Sequence, residues 1–390
     1  MSEQAVREKR RLRGRLIFFA LSAFFAAAAA LLRLWFAARP DLAERYARGP
    51  YRTLAGTVSR ITGIVPLSLS ELLLLPLILL GCVLFTRFIH RLIKGPARVR
   101  LALSGLLLAG GVLALSYSWF VAFHALNYER EPLSASLQLD VRPREPEELE
   151  HLVIWLMREA GQARSLLVTD AAGVASSELD VKTILAEATG AYGRLGLYYP
   201  AFQHLPETTP KPVYLSRFWS YTGISGMYNP FFAEANINID QPSFSLPFTA
   251  LHEAAHVGGY PREDEANFLA FFSGIHHPLP EYRYAALQTT LSYAANRLHR
   301  VDRDRYAACL DHLDAGIAAD MTAQRAYWQQ FKGPVRQAAE KANDIFLKSQ
   351  RQTDGVRSYG RMIDLVLAFC ERYGDIHAGL QPPAVLVHTP

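Results

Sequence analysis

Residues 251–267 read Leu-His-Glu-Ala-Ala-His-Val-Gly-Gly-Tyr-Pro-Arg-Glu-Asp-Glu-Ala-Asn, and they contain the pattern HExxH. Residues four apart on an α-helix lie on the same face, so His252 and His256 can direct two imidazoles at one metal ion. Glu253 lies beside that ion, where its carboxylate can take a proton from a zinc-activated water. The pattern predicts one zinc ion per chain, with Glu253 as general base.

The residues around this pattern favour a buried helix. Ser245 and Pro247 are typical of a helix start, and Gly258-Gly259 is typical of a helix end. The histidines and Glu253 lie among Ala, Leu and Phe residues, which predicts that they share a buried face. Buried ionisable groups need partners, and a satisfied pair of core histidines is the alternative to a metal site. We favour the metal site.

Three acids follow the pattern at residues 263–265, and each is a candidate for the third zinc ligand. The pattern begins HExxHxxG, as in metzincins, but Arg262 occupies the position of their third histidine, which disfavours that class. Glu265 is contiguous with the apolar side of the next helix and is expected to face inward. Glu263 and Asp264 are expected to be solvated acids at a helix N-terminus. We therefore predict Glu265 as the third ligand, a gluzincin-like arrangement.

Two further parts of a catalytic cleft are suggested. Residues 235–240 alternate apolar and polar side chains, the pattern of a half-exposed strand, and zincins commonly bind peptides along an edge strand. Residues 222–228 are candidates for the rim of the cleft, although an ordinary loop and strand explain both stretches equally well. Tyr359 and Arg361 follow a turn that enters a helix, and they are candidates to stabilise an oxyanion.

Three apolar runs precede the globular sequence, at about 16–36, 69–89 and 101–123. Each reaches the length of about 20 residues that a membrane-spanning helix needs. Basic residues are concentrated in the N-terminal tail and in residues 87–100, which places both on the cytoplasmic side. The chain from about Asn127 onward is therefore expected outside the cytoplasm. A cleaved signal peptide is disfavoured, because the first run is too long and two more follow.

These features predict a multi-pass membrane protein with three N-terminal transmembrane helices and a mostly α, zincin-like α+β soluble domain. The membrane anchor is expected at 1–126, the metallopeptidase domain at 127–380 and a loosely ordered tail at 381–390. After Pro247 the chain is expected to be helical to about Arg372. The net charge of +5 derives from basic clusters near the apolar runs, which favours membrane topology over a nucleic-acid partner. Cys309 and Cys370 are expected to be free buried thiols rather than a disulfide.

Further motifs accompany HExxH along nearly the whole chain. They are Asn127-Tyr128-Glu129-Arg130 with Pro132, Gly226-Met227-Tyr228, Glu265-Ala266-Asn267-Phe268, and Asp354-Gly355 with Ser358-Tyr359-Gly360. With the three spans, this combination resembles a bacterial membrane family, the domain of unknown function 3810 family. The resemblance implies a zincin-like peptidase on a membrane anchor, and it supplies no substrate.

The expected function is a membrane-anchored, zinc-dependent peptidase that cleaves a peptide or protein substrate outside the cytoplasm. The alternative is a metal-binding sensor or receptor of the same fold without peptidase activity. The intact Glu253 favours the peptidase. A transporter with a coincidental HExxH is disfavoured, because the three spans hold few charged residues.

The distribution of basic residues makes the topology testable. A reporter enzyme that is active only outside the cytoplasm, fused after Phe123, is expected to be active in cells, since both basic segments are retained inside. The same reporter fused after Lys94 is the matched control and is expected to be silent. Activity of the Lys94 fusion alone would reverse the orientation.

Overall fold

The computed structural model describes residues 3–94, 98–197, 199 and 202–373, so the predicted tail at 381–390 lies outside the described residues. The chain is mostly helical with a few small sheets, as expected from the sequence. The α-helices are, in chain order, α1 (Glu3–Ala38), α2 (Pro40–Tyr46), α3 (Arg52–Thr62), α4 (Leu69–Lys94), α5 (Arg98–Phe123), α6 (Leu133–Ser136), α7 (Pro146–Arg164), α8 (Val181–Glu187), α9 (Ala191–Gly196), α10 (Ser216–Ser220), α11 (Leu246–Val257), α12 (Glu263–Ile275), α13 (Pro280–Val301), α14 (Arg303–Cys309), α15 (Ala315–Gln329), α16 (Pro334–Ser349) and α17 (Met362–Tyr373).

Helices α1, α4 and α5 are long and apolar enough to cross a membrane, which confirms the three predicted apolar spans. Most of their surface is exposed, as expected for helices whose solvent is lipid. Helices α1 and α5 run side by side in the same direction. Arg15 donates to the carbonyl oxygen of Ser104 at one end of the pair, and Phe36 packs in one cluster with Val121 near the other.

The connection between α1 and α4 is folded rather than a plain loop. It contains α2, a π-helix (Ala47–Tyr51) and α3, and it packs against both α5 and the globular part of the chain. The Tyr46 hydroxyl donates to the Ala122 carbonyl oxygen at 2.6 Å, and Lys211 Nζ donates to the Thr62 carbonyl oxygen at 2.8 Å. The predicted membrane anchor and soluble domain therefore share part of their interior.

The globular core lies among α7, α11, α12, α13 and α17. Helix α7 begins with a capping box in which the Glu145 and Glu148 side chains bind each other's backbone N–H groups, and Pro146 occupies its first turn. Phe268, Phe272 and other aromatic rings fill the centre of the core, and burial of each such side chain stabilises the fold by about 1.5–3 kcal/mol. Cys309 and Cys370 are buried free thiols, as predicted.

Five strands form two sheets in the described residues: β1 (Val168–Thr169), β2 (Ala175–Ser176), β3 (Lys211–Val213), β4 (Gly226–Asn229) and β5 (Glu234–Asn238). Strands β1 and β2 form a hairpin. The larger sheet has the order β3-β5-β4, with β5 parallel to β3 and antiparallel to β4.

The prediction that residues 235–240 form a half-exposed edge strand is wrong. Strand β5 is central and all of its residues are buried. Asn236 and Asn238, whose polarity suggested exposure, are buried, and their amide nitrogens have hydrogen-bond partners inside the protein. The Asn238 amide donates to Ser220 Oγ and to the Ile224 carbonyl oxygen, each at 2.9 Å. The edge strands of this sheet are β3 and β4.

Gly259 is required by the turn that follows α11. Its φ angle is +88°, in a region that favours glycine, and a Cβ atom there would lie 2.7 Å from Tyr51 Cε1. We expect Gly259→Ala to destabilise the protein by about 1–3 kcal/mol because of this backbone conformation. Gly161→Ala is the matched control in α7, where an added Cβ meets no atom within 4 Å and is expected to stabilise by roughly 0.5–1 kcal/mol. Thermal unfolding of the full chain in detergent measures both, and equal unfolding temperatures would contradict the prediction.

Candidate metal centre

The two histidines of the HExxH pattern converge on one point. Helix α11 has Pro247 in its first turn, ends at Val257, and is buried along its whole length. The Nε2 atoms of His252 and His256 lie 3.1 Å apart, and their rings are nearly perpendicular. The expected convergence of these two imidazoles is confirmed.

The acid in this cluster is Glu263. Its Oε2 atom lies 3.2 Å from His252 Nε2 and 3.5 Å from His256 Nε2. The chain reverses after α11, and Arg262 in extended conformation leads into α12, whose first residue is Glu263. This acid, expected to be solvated, is instead buried with the histidines.

Glu265 is buried but lies elsewhere, so the choice of Glu265 as third ligand is corrected to Glu263. Glu265 Oε1 accepts hydrogen bonds from the Leu133 N–H at 2.8 Å and from Arg262 Nη1 at 2.9 Å. Glu265 faces inward as expected, but toward the segment that follows the last span. Glu263 faces inward as well, on another side of the same helical turn.

His252, His256 and Glu263 could together hold a metal ion. Donor atoms bound tetrahedrally to zinc at about 2.0–2.1 Å lie roughly 3.3 Å from one another. The separations of 3.1, 3.2 and 3.5 Å match that value. Glu263 Oε2 is buried and has no well-aligned hydrogen bond among the described residues. A bond to a metal ion would give this oxygen the partner it lacks.

The orientation of the His256 ring is fixed by a hydrogen bond on the side that faces away from the cluster. Its Nδ1 atom lies 2.8 Å from the carbonyl oxygen of Tyr260. A carbonyl only accepts, so Nδ1 carries the proton and donates it. Nε2 is therefore the atom that faces the cluster, and it can give its lone pair to a metal ion once its own proton is lost, an arrangement that is typical of histidines that bind metals.

The cluster attracts positive charge. Burial alone would raise the pKa of Glu263, but the charge of His256 and the contacts with both imidazoles outweigh burial and lower this pKa. Burial alone would lower the pKa of His256, but Glu263 and then Glu253 raise it to about 9. A cation at this point is therefore stabilised by the surrounding residues.

Glu253 lies between the cluster and strand β4. A Cβ atom on Gly226 would be 2.6 Å from Glu253 Oε1, so only glycine lets the strand approach this closely. Burial raises the pKa of Glu253, and this effect exceeds the opposing influence of His252 and His256. Its Oε2 atom has no hydrogen-bond partner within the described part of the chain. Such a carboxylate has the properties of a proton acceptor.

The two candidate oxyanion residues differ in position. The Tyr359 ring is nearly parallel to the His252 ring, with centroids 6.4 Å apart, and burial raises the pKa of its hydroxyl. The Arg361 guanidinium instead pairs with Asp264 at 3.1 Å and with Asp354 at 3.0 Å. The structure brings the Tyr359 ring beside His252 and holds Arg361 at these two carboxylates.

Several residues near the centre were missed from the sequence. The Tyr51 hydroxyl donates to the Val257 carbonyl oxygen at 2.9 Å, and the buried His124 ring lies 5.5 Å from that of Tyr228. Burial lowers the pKa of His124 to about 3, which keeps its imidazole neutral. His124 directly follows α5, a position that suggested only the end of a span.

The three donors predict how metal binding responds to substitution. His252→Ala, His256→Ala and Glu263→Gln are each expected to lose most bound metal, since each removes one donor. Glu265→Gln is the matched control, because it changes a neighbouring buried acid that lies outside the cluster. Metal content per chain of the purified full-length protein measures this. Loss in Glu265→Gln with retention in Glu263→Gln would reverse the assignment.

The comparisons with known proteins agree with the family resemblance. No curated protein and no solved structure matches the chain. A family model described as "Protein of unknown function (DUF3810)" matches residues 46–367. The match extends from the segment between α1 and α4, through both later spans, to the middle of α17. The chain therefore belongs to the DUF3810 family.

Proposed function

We propose that the protein is a membrane-anchored zinc peptidase whose active site is the cluster of His252, His256 and Glu263 with Glu253 beside it. The observation that carries this proposal is the position of Glu253, next to two metal-binding imidazoles and against the edge strand β4. Two imidazoles and one carboxylate are a common ligand set of catalytic zinc, which keeps a further coordination position open. Zinc bound there would supply Lewis acidity to a water molecule and to the peptide carbonyl.

Glu253 supplies the proton transfer in this proposal. Its carboxylate takes a proton from the attacking water and later gives it to the leaving amine. A pKa raised from the ordinary carboxyl value toward the operating pH suits both halves of that task, because the group then accepts and releases a proton at similar cost. The Tyr359 hydroxyl remains protonated and is the candidate donor to the developing oxyanion.

The free edge of β4 is the proposed binding site for the substrate backbone. In the described residues β4 pairs only with β5. The Asn238 N–H donates to the Ser225 carbonyl oxygen, and antiparallel pairing alternates, so Gly226 and Tyr228 direct their backbone groups away from β5. The closeness of the Tyr228 backbone to the Glu253 carboxylate agrees with this direction. An extended peptide added at this edge would pass the Glu253 carboxylate.

The alternative is a metal-binding receptor without peptidase activity, and one observation favours it. His252, Glu253, His256 and Glu263 are only 4–9% exposed, as in a closed structural site. A receptor needs no general base, however, and Glu253 binds neither a cation side chain nor a helix cap in the described residues. We therefore keep the peptidase as the proposal, with its domain on the extracytoplasmic side.

Glu253→Gln separates the two functions. The variant keeps the size of the side chain and removes the base, so it is expected to retain zinc and fold while hydrolysis falls by about 10²–10⁴. Cleavage of a broad peptide library, with zinc content measured in parallel, tests this. Glu147→Gln, at an exposed position in the first turn of α7, is the control. Equal cleavage by Glu253→Gln and by the unchanged protein would remove Glu253 from the mechanism.

A further inference from the structure

The free edge of β4 leads from Glu253 to the end of a membrane span. Gly226, its first residue, lies against the Glu253 carboxylate. Asn229, its last residue, donates from Nδ2 to Ser70 Oγ at 2.8 Å, and Ser70 lies in the first turn of α4. The strand therefore connects the candidate active site with the point where α4 enters its apolar stretch.

Contacts with α5 also show that the chain runs from the candidate active site toward the membrane spans. The Tyr228 hydroxyl donates to the carbonyl oxygen of Phe123, the last residue of α5, at 3.1 Å. Further along the chain, the Pro230 carbonyl oxygen accepts from Trp119 Nε1 at 3.0 Å. Trp119 lies about one helical turn, or ~6 Å, before Phe123 along α5. The chain thus moves deeper along the span as it leaves the active site.

Exposed aromatic residues mark the level of the membrane surface. Trp119, Tyr214, Phe218 and Phe231 are all exposed. The N–H of Tyr214 donates to the Glu71 carboxylate in the first turn of α4, which fixes this region to the span. Tryptophan and tyrosine are enriched where a membrane protein crosses the lipid–water interface. The turn between β4 and β5 therefore lies at that interface.

The distance from this interface to Glu253 is short. From Gly226 to Pro230 the chain advances about four residues, or ~13 Å at ~3.3 Å per residue. Antiparallel pairing is more stable per residue than parallel pairing. Since β4 runs from the active site toward the membrane, a peptide paired antiparallel with it runs from the membrane toward the active site.

This inference rests on the proposed peptidase function and names its substrate class. We propose that the substrate is a polypeptide anchored in the same bilayer on the N-terminal side of the cleaved bond. Its segment next to the anchor pairs with β4 as an added strand, and the bond that reaches Glu253 lies about four to six residues beyond the anchor. The anchor is either a transmembrane helix or a lipid on the N-terminal residue, because both fix the chain at the same height.

The test uses the full-length protein in vesicles of phosphatidylethanolamine and phosphatidylglycerol. The probes join a Leu/Ala transmembrane helix, a randomised linker of graded length and a soluble fluorescent domain. One set carries the helix before the linker, a second set carries it after the linker, and a third set has no anchor. A fourth set replaces the helix with an N-terminal diacylglyceryl cysteine. Mass spectrometry of the released domain gives the position of each cut.

We expect cleavage of the first set to begin at linkers of about four residues, since a shorter chain does not span the ~13 Å to Glu253. The second set should need clearly longer linkers, because its chain must reverse before it can pair antiparallel. The unanchored set should be cut at least about 10-fold more slowly at equal bulk concentration, because anchoring raises the effective concentration. The lipidated set should be cleaved from the same minimum linker length as the first set if the height of the anchor alone matters. Absence of cleavage in the lipidated set would restrict the substrate to helical anchors.

Several outcomes would overturn the inference. Equal minimum linkers for both anchor orientations would contradict the antiparallel pairing, and cuts inside the helix would contradict the height of the active site. Cleavage of unanchored probes without preference for anchored ones would refute this inference and leave the peptidase proposal standing. Absence of cleavage in every set, with zinc bound and Glu253→Gln indistinguishable from the unchanged protein, would refute both proposals.

Discussion

The burial of the Glu263 carboxylate against two imidazoles is the constraint on which the rest of the structure depends. Removal of an ionised carboxylate from water costs several kcal/mol even after the surroundings relax. Here the carboxylate is less than one tenth exposed, and positive charge at the histidines compensates it. Helix α12 must therefore begin directly after a tight reversal of the chain, with its first residue beside α11.

The membrane-proximal part of the chain holds this reversal in place. Arg130 Nη1 donates to the Gly259 carbonyl oxygen at 2.6 Å, and its guanidinium lies over the Tyr260 ring and pairs with Glu44 of α2. The Tyr51 ring occupies the space beside Gly259. Residues that precede the second span thus fix the turn that positions Glu263. The globular region is not a module that simply follows an anchor, and a fragment that begins at residue 129 would lose the contacts made by Glu44 and Tyr51.

The sequence predicts the parts of this arrangement that leave a distinct local pattern, such as an apolar run or a fixed spacing of motif residues. Apolar length identifies the spans, and the HExxH spacing together with Pro247 and Gly258 identifies α11. The sequence does not identify Glu263 as the acid beside the histidines. Nearly every residue of α12 is buried, so hydrophobic periodicity carries no information about which side of the helix faces α11. Strand β5 is misread for the same reason. Its asparagines look solvent-facing by alternation, yet both are buried, and they bond to residues distant in sequence, such as Ser220 and Ser70, that no local pattern reveals.

The first turn of α12 shows how three successive acids take separate structural positions. Neighbouring residues on a helix point about 100° apart. Glu263 therefore meets the histidines, Asp264 meets Arg361, and Glu265 meets Arg262 and the Leu133 N–H.

One turn further along α12, Asn267 Nδ2 donates to the Tyr359 carbonyl oxygen at 3.1 Å. A single short segment of helix thus contacts the candidate metal cluster, the aromatic residue beside His252 and the chain that follows the last span. In a peptidase that takes its substrate from the bilayer, this coupling has a mechanical consequence. The candidate oxyanion donor and the candidate metal site would then keep one fixed height above the membrane, because both contact the same helix that binds the segment following the last span.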